Sequence, residues 1–144
     1  MEPADVPAGP LAVDTDVFSF IHWRRGDRRA EFEQLIAGRP LVLPFPVVGE
    51  LTAGALRGHL GQARREELRH AIEACVVIPS DARIVDEWSN IYARFLDRLK
   101  GGGVNDMWAA ACCRVYGLPI VTNNIADFGK IAEEFPLTIV HPDL

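Results

Sequence analysis

No stretch of the sequence approaches the roughly 20 consecutive apolar residues that a membrane-spanning helix needs, and no membrane partner is expected. The opening ten residues, MEPADVPAGP, contain neither lysine nor arginine and no apolar core. They lack both parts of a secretory signal, so the expected location is cytoplasmic. Cysteine is scarce. Cys75, Cys112 and Cys113 form an odd set without a CxxC pair, which argues against a disulfide scaffold and a thiolate zinc site. Lysine is nearly missing, with only Lys100 and Lys130. A basic balance is missing too: the formal net charge is −5, which does not advertise a long nucleic-acid groove but leaves room for local basic clusters. At 144 residues there is length for one core and little for a second, so residues 11–144 are read as a single domain and 1–10 as a loose lead-in.

What is present alternates short apolar runs with helical stretches. LAVD at 11–14, PLVLP at 40–44, VVIP at 76–79, LPIVT at 118–122 and PLTIVHP at 136–142 read as strands. Helices are expected over 28–38, over 46–60 with Pro46 near the start, over 62–75, 81–99, 104–117 and 127–135. In 81–99 the stripe Ile84, Val85, Trp88, Ile91, Tyr92, Phe95, Leu96 and Leu99 predicts a buried face. The GGG run at 101–103 is expected to break the chain. Strands separated by helices predict an α/β protein, a three-layer α/β/α sandwich with a largely parallel central sheet. Ligands in such sheets bind beyond the carboxyl ends of the strands.

The acids follow that rule. Asp14 ends the first strand, Thr122 and Asn124 end another, Glu50 lies on the helix after the second strand, and Asp106 opens a separate helix. Most have a plainer explanation: Asp14 or Asp16 as a cap of the next helix, with capping preferred for Asp16, Asp106 as an N-terminal helix residue with no chemical duty, and Asp127 as a cap of a helix beginning near Phe128. Glu50, between Gly49 and Leu51 on a mostly apolar helix, is harder to explain that way. One shared cation explains them together more economically, because clustered carboxylates repel unless protonated or neutralised, and an oxygen-rich site suits Mg²⁺ or Mn²⁺. Arginines cluster at 22–29 and 61–70. Arg24, Arg25, Arg28 and Arg29 are candidate phosphate contacts, and Trp23 a candidate for stacking on a base.

LAVDTDVF, LPFPVVGELTAGAL, NDMWAAA and LPIVTNNIADF, in that order and spacing, resemble the PIN-domain nucleases, particularly VapC-type toxins of toxin–antitoxin systems. The resemblance implies a PIN-like fold and a Mg²⁺- or Mn²⁺-dependent endoribonuclease that hydrolyses RNA phosphodiesters. It carries metal-ligating and catalytic roles onto Asp14, Glu50 and Asp106, and a further catalytic role onto Asp127. Thr122, Asn124 and Asp16 are supporting residues. Some relatives have aspartate where this chain has Asn124, which leaves two ways to complete the site: Asp127, or a water held by Asn124. A small cognate antitoxin and a homodimer are implied partners, with Arg28 or Arg29 near the cleft as antitoxin contacts and surplus leucines at 51, 56, 60 and 68 as interface material.

Two other assignments remain. DTDVF also resembles the opening of haloacid-dehalogenase-type phosphatases, where the first aspartate is a nucleophile, but Phe18 replaces the usual small residue and no lysine stands where that chemistry needs one. The other is a PIN domain that holds RNA or protein without cutting.

Overall fold

Five short runs of β-branched residues and leucine, each cut off by proline or a polar side chain, form β1 (Leu11–Val13), β2 (Leu41–Pro44), β3 (Val76–Ile78), β4 (Ile120–Val121) and β5 (Ile139–Val140). They pair in the order β3-β2-β1-β4-β5, and every pair is parallel. Between them run α1 (Thr15–His22), α2 (Arg29–Ile36), α3 (Phe45–Arg57), α4 (Gln62–Glu73), α5 (Ala82–Phe95), α6 (Val104–Tyr116) and α7 (Ile125–Glu134). The computed structural model describes residues 1–99 and 103–144. Of the glycine run expected to break the chain, 101 and 102 therefore lie outside the described residues.

Alternation along the strands splits the core between the two faces of the sheet. Leu11, Val13, Leu43 and Val121 meet Val17, Phe32, Val47 and Leu51 on the side of α1 to α4. Ala12, Val42 and Ile120 point the other way, to Ile84, Ile91, Met107 and Phe128 on α5, α6 and α7. The three-layer α/β/α sandwich follows from this two-sided burial. β1 lies between β2 and β4, and the chain leaves β1 toward one edge of the sheet and β4 toward the other. The carboxyl ends of β1 and β4 are thus the switch point, where a crevice opens.

Several boundaries and surfaces differ from the sequence pattern. Asp14 is not the last strand residue but the N-cap of α1, its side chain accepting from the Thr15 amide. Asp16 lies inside the first turn and is exposed, so it is not the cap. α7 starts at Ile125 and is capped by Asn124, which accepts from the Asp127 amide; Asp127 is a first-turn residue and caps nothing. α5 stops at Phe95, and Asp97 takes a left-handed φ of 67°. Its apolar stripe is only partly internal: Ile84, Ile91, Phe95 and Leu99 are buried, while Val85 and Leu96 are 41% and 49% exposed. Among the surplus leucines, Leu51 and Leu68 are core and Leu56 is 59% exposed. The lead-in at 1–10 is tied down, with Val6 buried and Arg39 donating to the Gly9 carbonyl at 3.0 Å.

Gly103 heads α6 with φ +57°, and a Cβ there would sit 2.6 Å from the Leu99 Cβ. Gly103→Ala would therefore combine an unfavourable backbone conformation with a clash against a buried side chain. The expected cost is about 1–3 kcal/mol, measured as a lowered denaturation midpoint. Because α6 carries Asp106, a loss of activity without a loss of stability would show that the glycine serves the site rather than the fold.

Candidate active site

β1 ends in a carboxylate because Asp14 caps α1: its Oδ1 accepts from the Thr15 amide at 2.9 Å. Its Oδ2 accepts from the Thr122 hydroxyl at 2.8 Å, reaching across to the end of β4. The Thr122 hydroxyl oxygen in turn accepts from the Asn124 amide at 3.0 Å. The Thr15 hydroxyl donates to Glu50 Oε1 at 3.0 Å, tying α3 to the start of α1. Asn124 turns its carbonyl oxygen toward the first turn of α7 and its amino group toward two acids. That nitrogen donates to Asp106 Oδ2 at 3.0 Å and to Asp127 Oδ2 at 3.2 Å. In this arrangement Asn124 presents donors to the acids, not the neutral carbonyl that the sequence suggested.

Hydrogen bonding leaves these acids incompletely satisfied. Asp14 is 5% exposed. Burial pushes its carboxyl up to about 6, against the lowering effect of its Thr122 and Thr15 hydrogen bonds, with the Asp16 and Glu50 charges adding to the rise. Asp106 is pushed up to about 7, first by burial and then by the charges of Asp14, Asp127, Glu50 and Asp16. Asp127 is buried and its Oδ1 has no partner among the described residues, an arrangement that costs free energy unless a donor or cation is supplied. Glu50, Asn105, Asp106, Asn124 and Asp127 line an open cleft of about 570 Å³. A slightly larger cavity, about 610 Å³, lies at the other end of the sheet against 117–119 and 136–138 and contains no carboxylate.

Among the described residues no three His, Cys, Asp or Glu side chains are drawn together into a finished metal cage. The donor set nonetheless fits a hard divalent cation: it is all oxygen, it is mutually repulsive, and one buried oxygen is orphaned.

The structure brings Asp14, Glu50, Asp106, Asp127, Thr122 and Asn124 together and leaves other candidates outside. Arg28 forms paired hydrogen bonds with Asp143 at 2.7 Å and pairs with Glu31, and Arg29 pairs with Glu33 at 3.2 Å. Neither lines the cleft. Arg24 is exposed with a left-handed φ of 51°. Trp23 and Arg25 do line a groove that Glu50 also borders. Cys112 and Cys113 are buried in the core of α6, where burial pushes both thiols well up. His22 has a buried Nε2 with no partner among the described residues. Sequence reasoning missed Thr15, whose only signal is its place between two aspartates. Thr122→Val would remove a buried hydroxyl that both donates to Asp14 and accepts from Asn124. The expected destabilisation is about 2 kcal/mol, read by chemical denaturation, with Thr122→Ser recovering most of it.

A parallel five-stranded sheet with buried carboxylates gathered at its switch point defines the class: an α/β domain with an acidic cleft at the carboxyl edge. The chain belongs to the PIN-domain family, whose model matches residues 11–134. No curated protein sequence matches it. Among solved structures, a chain of VapBC2 from Rickettsia felis, bound to a DNA fragment from its promoter, superposes with a TM-score of 0.70 at 17% identity, over 91% of this chain and 97% of that one. A chain of VapBC-1 from nontypeable Haemophilus influenzae gives 0.69 at 21% identity, covering 94% and 99%. FitAcB from Neisseria gonorrhoeae gives 0.69 at 17%, covering 92% and 97%. At these identities the likeness is one of fold. Family membership removes the phosphatase assignment.

Proposed function

We propose that this chain is a VapC-type toxin, a divalent-metal-dependent endoribonuclease of the cytoplasm that a small antitoxin restrains. The observation that carries the reading is the convergence of Glu50, Asp106 and Asp127 on one cleft beside the buried Asp14, with Asp14 pushed up by burial and then by the charges of Asp16 and Glu50, and Asp106 by burial and then by neighbouring carboxylates, Asp14 foremost. Asp14, Glu50 and Asp106 would hold Mg²⁺ or Mn²⁺, which would supply charge neutralisation at the phosphodiester and a more acidic water. The chain's own groups do the rest. Thr122 and Thr15 fix both oxygens of Asp14 directly, and Thr15 also holds Glu50. Asn124 holds one oxygen each of Asp106 and Asp127, which orients both acids on the wall of the cleft. The structures of the VapBC and FitAcB assemblies support an antitoxin partner, and the exposed Leu56, Val85 and Leu96 are compatible with protein contacts, including a homodimer.

The test is incubation of the purified chain with total RNA, with Mn²⁺ or Mg²⁺ and with a chelator, followed by mapping of new termini. Cutting that requires the cation and spares DNA is expected. RNA binding without cutting under every cation would favour a PIN domain that holds its ligand.

A further inference from the structure

Beside the acidic cleft lies a second groove of about 510 Å³, between α1 and the facing ends of α3 and α4, and Glu50 borders both. Its chemistry is mixed: Asp16 and Glu50 stand on the side of the acidic cleft, and two arginines and aromatic rings also line it. Arg25 and Arg64 line it, and the Arg64 guanidinium carbon sits 4.7 Å from the Trp23 ring centroid. The edge of the His22 ring, 4.3 Å from Trp23, braces the indole, which is still partly exposed. Gly54 and Ala55 keep large side chains off the facing wall, and a Cβ added at Gly54 would meet nothing within 4 Å. Among the described residues neither Arg25 nor Arg64 takes part in an ion pair, whereas Arg28, Arg29, Arg69, Arg94 and Arg114 are all paired.

We propose that this groove is a nucleotide subsite: it receives an unpaired base of single-stranded RNA on the Trp23–Arg64 pair and the adjoining phosphate on Arg25. The assignment rests on the ribonuclease reading and specifies how that site holds its strand. An acidic centre in a chain of net charge −5 repels a polyanion, so cations beside the cleft must offset the repulsion. A planar aromatic ring next to a planar guanidinium binds any base by stacking, and the partner arginine meets the phosphate. A base must leave its helix to reach a half-buried ring, so the subsite selects single strands and loops over duplex.

Cleavage of a fluorophore–quencher oligouridylate by the full chain with Mn²⁺ tests this. Trp23→Ala and Arg25→Ala are each expected to raise KM about tenfold, since stacking on one aromatic ring is worth about 1–3 kcal/mol, with kcat changed less than about threefold. Trp23→Phe should restore most of the affinity. Arg25→Ala should also flatten the salt dependence of KM by about 0.7 in log–log slope, the contribution of one phosphate contact on a single strand. Arg28→Ala, outside the groove, should leave KM unchanged. A wild-type chain that cuts while both groove variants keep its KM overturns the subsite and leaves the ribonuclease reading standing. A wild-type chain that cuts no RNA under any divalent cation overturns that reading, and the subsite with it. Groove variants that keep RNA KM but no longer bind a co-expressed antitoxin make the groove a protein-docking site, which also overturns the proposal.

Discussion

Asp14→Asn is expected to lower RNA cleavage about a thousandfold, the upper end of what removing one preorganised electrostatic group costs an enzyme, while leaving the chain folded. The asymmetry follows from the two jobs of this side chain. Its structural job is to cap α1 through Oδ1 and to receive the Thr122 hydroxyl on Oδ2. Asparagine caps helices as well as aspartate does, and the Thr122 hydroxyl can reverse its role and accept from the new amide. Its chemical job is to bring negative charge to the switch point, and the amide has none. Burial already raises the carboxyl to about 6, so removing the charge relieves the metal-free fold. Melting temperature should therefore hold or rise as activity disappears. Glu50→Gln should show the same separation, since its Thr15 hydrogen bond survives the change. Measured rates within about tenfold of wild type in both variants would remove Asp14 and Glu50 from the catalytic site.

Much of this arrangement was legible in the sequence for a local reason. LAVD, PLVLP and LPIVT are apolar runs too short for helices, and polar residues that end a strand in a parallel sheet face the same edge wherever they occur in the chain. The fold and the gathering of Asp14, Glu50, Asp106 and Thr122 follow from that geometry. What stayed hidden depends on partners distant in sequence. Arg28 looks like one free cation in a basic run, and only the return of the chain beside β5 brings Asp143 to it. Val85 and Leu96 fit a helical stripe, yet Val85 stands at the exposed margin of α5's first turn, and Leu96 falls just past the end of the helix at Phe95. Asn124 could have offered either end of its amide; the first turn of α7 takes the oxygen and so aims the nitrogen at Asp106 and Asp127. Arg64 and Trp23, forty-one positions apart, meet face to face with no sequence signal beyond their separate basic clusters.

The metal-free chain is expected to become more stable, relative to Asp106→Asn, as pH falls from about 7.5 to about 5. Asp106 is raised to about 7 and Asp14 to about 6, both from an ordinary 3.8. Between those limits the folded chain binds more protons than the unfolded one, so the slope of unfolding free energy with pH is negative. The contribution is fully present below about 3.8 and is lost as pH rises through 6 and 7. A tenfold change in proton affinity is worth about 1.4 kcal/mol; discounted for the partial exposure of Asp106, the wild type should gain about 1–2 kcal/mol on the variant across this range. His22 and His141, whose imidazoles are held below their ordinary value by burial, act in the opposite sense in the same range, which is why the comparison is made with a variant that keeps both. Asp143, Glu31 and Glu134, held low by their arginines, lose their pairing only at lower pH. Saturating Mg²⁺ or Mn²⁺ at about pH 7.5 should stabilise the wild type as acid does and the variant much less, because binding to the folded state alone is linked to its stability. Urea denaturation of both chains at the two pH values, with and without the cation, makes the measurement. Parallel stability curves for the two chains would mean that the carboxylates at the switch point do not repel one another, and the electrostatic case for a cation there would fail.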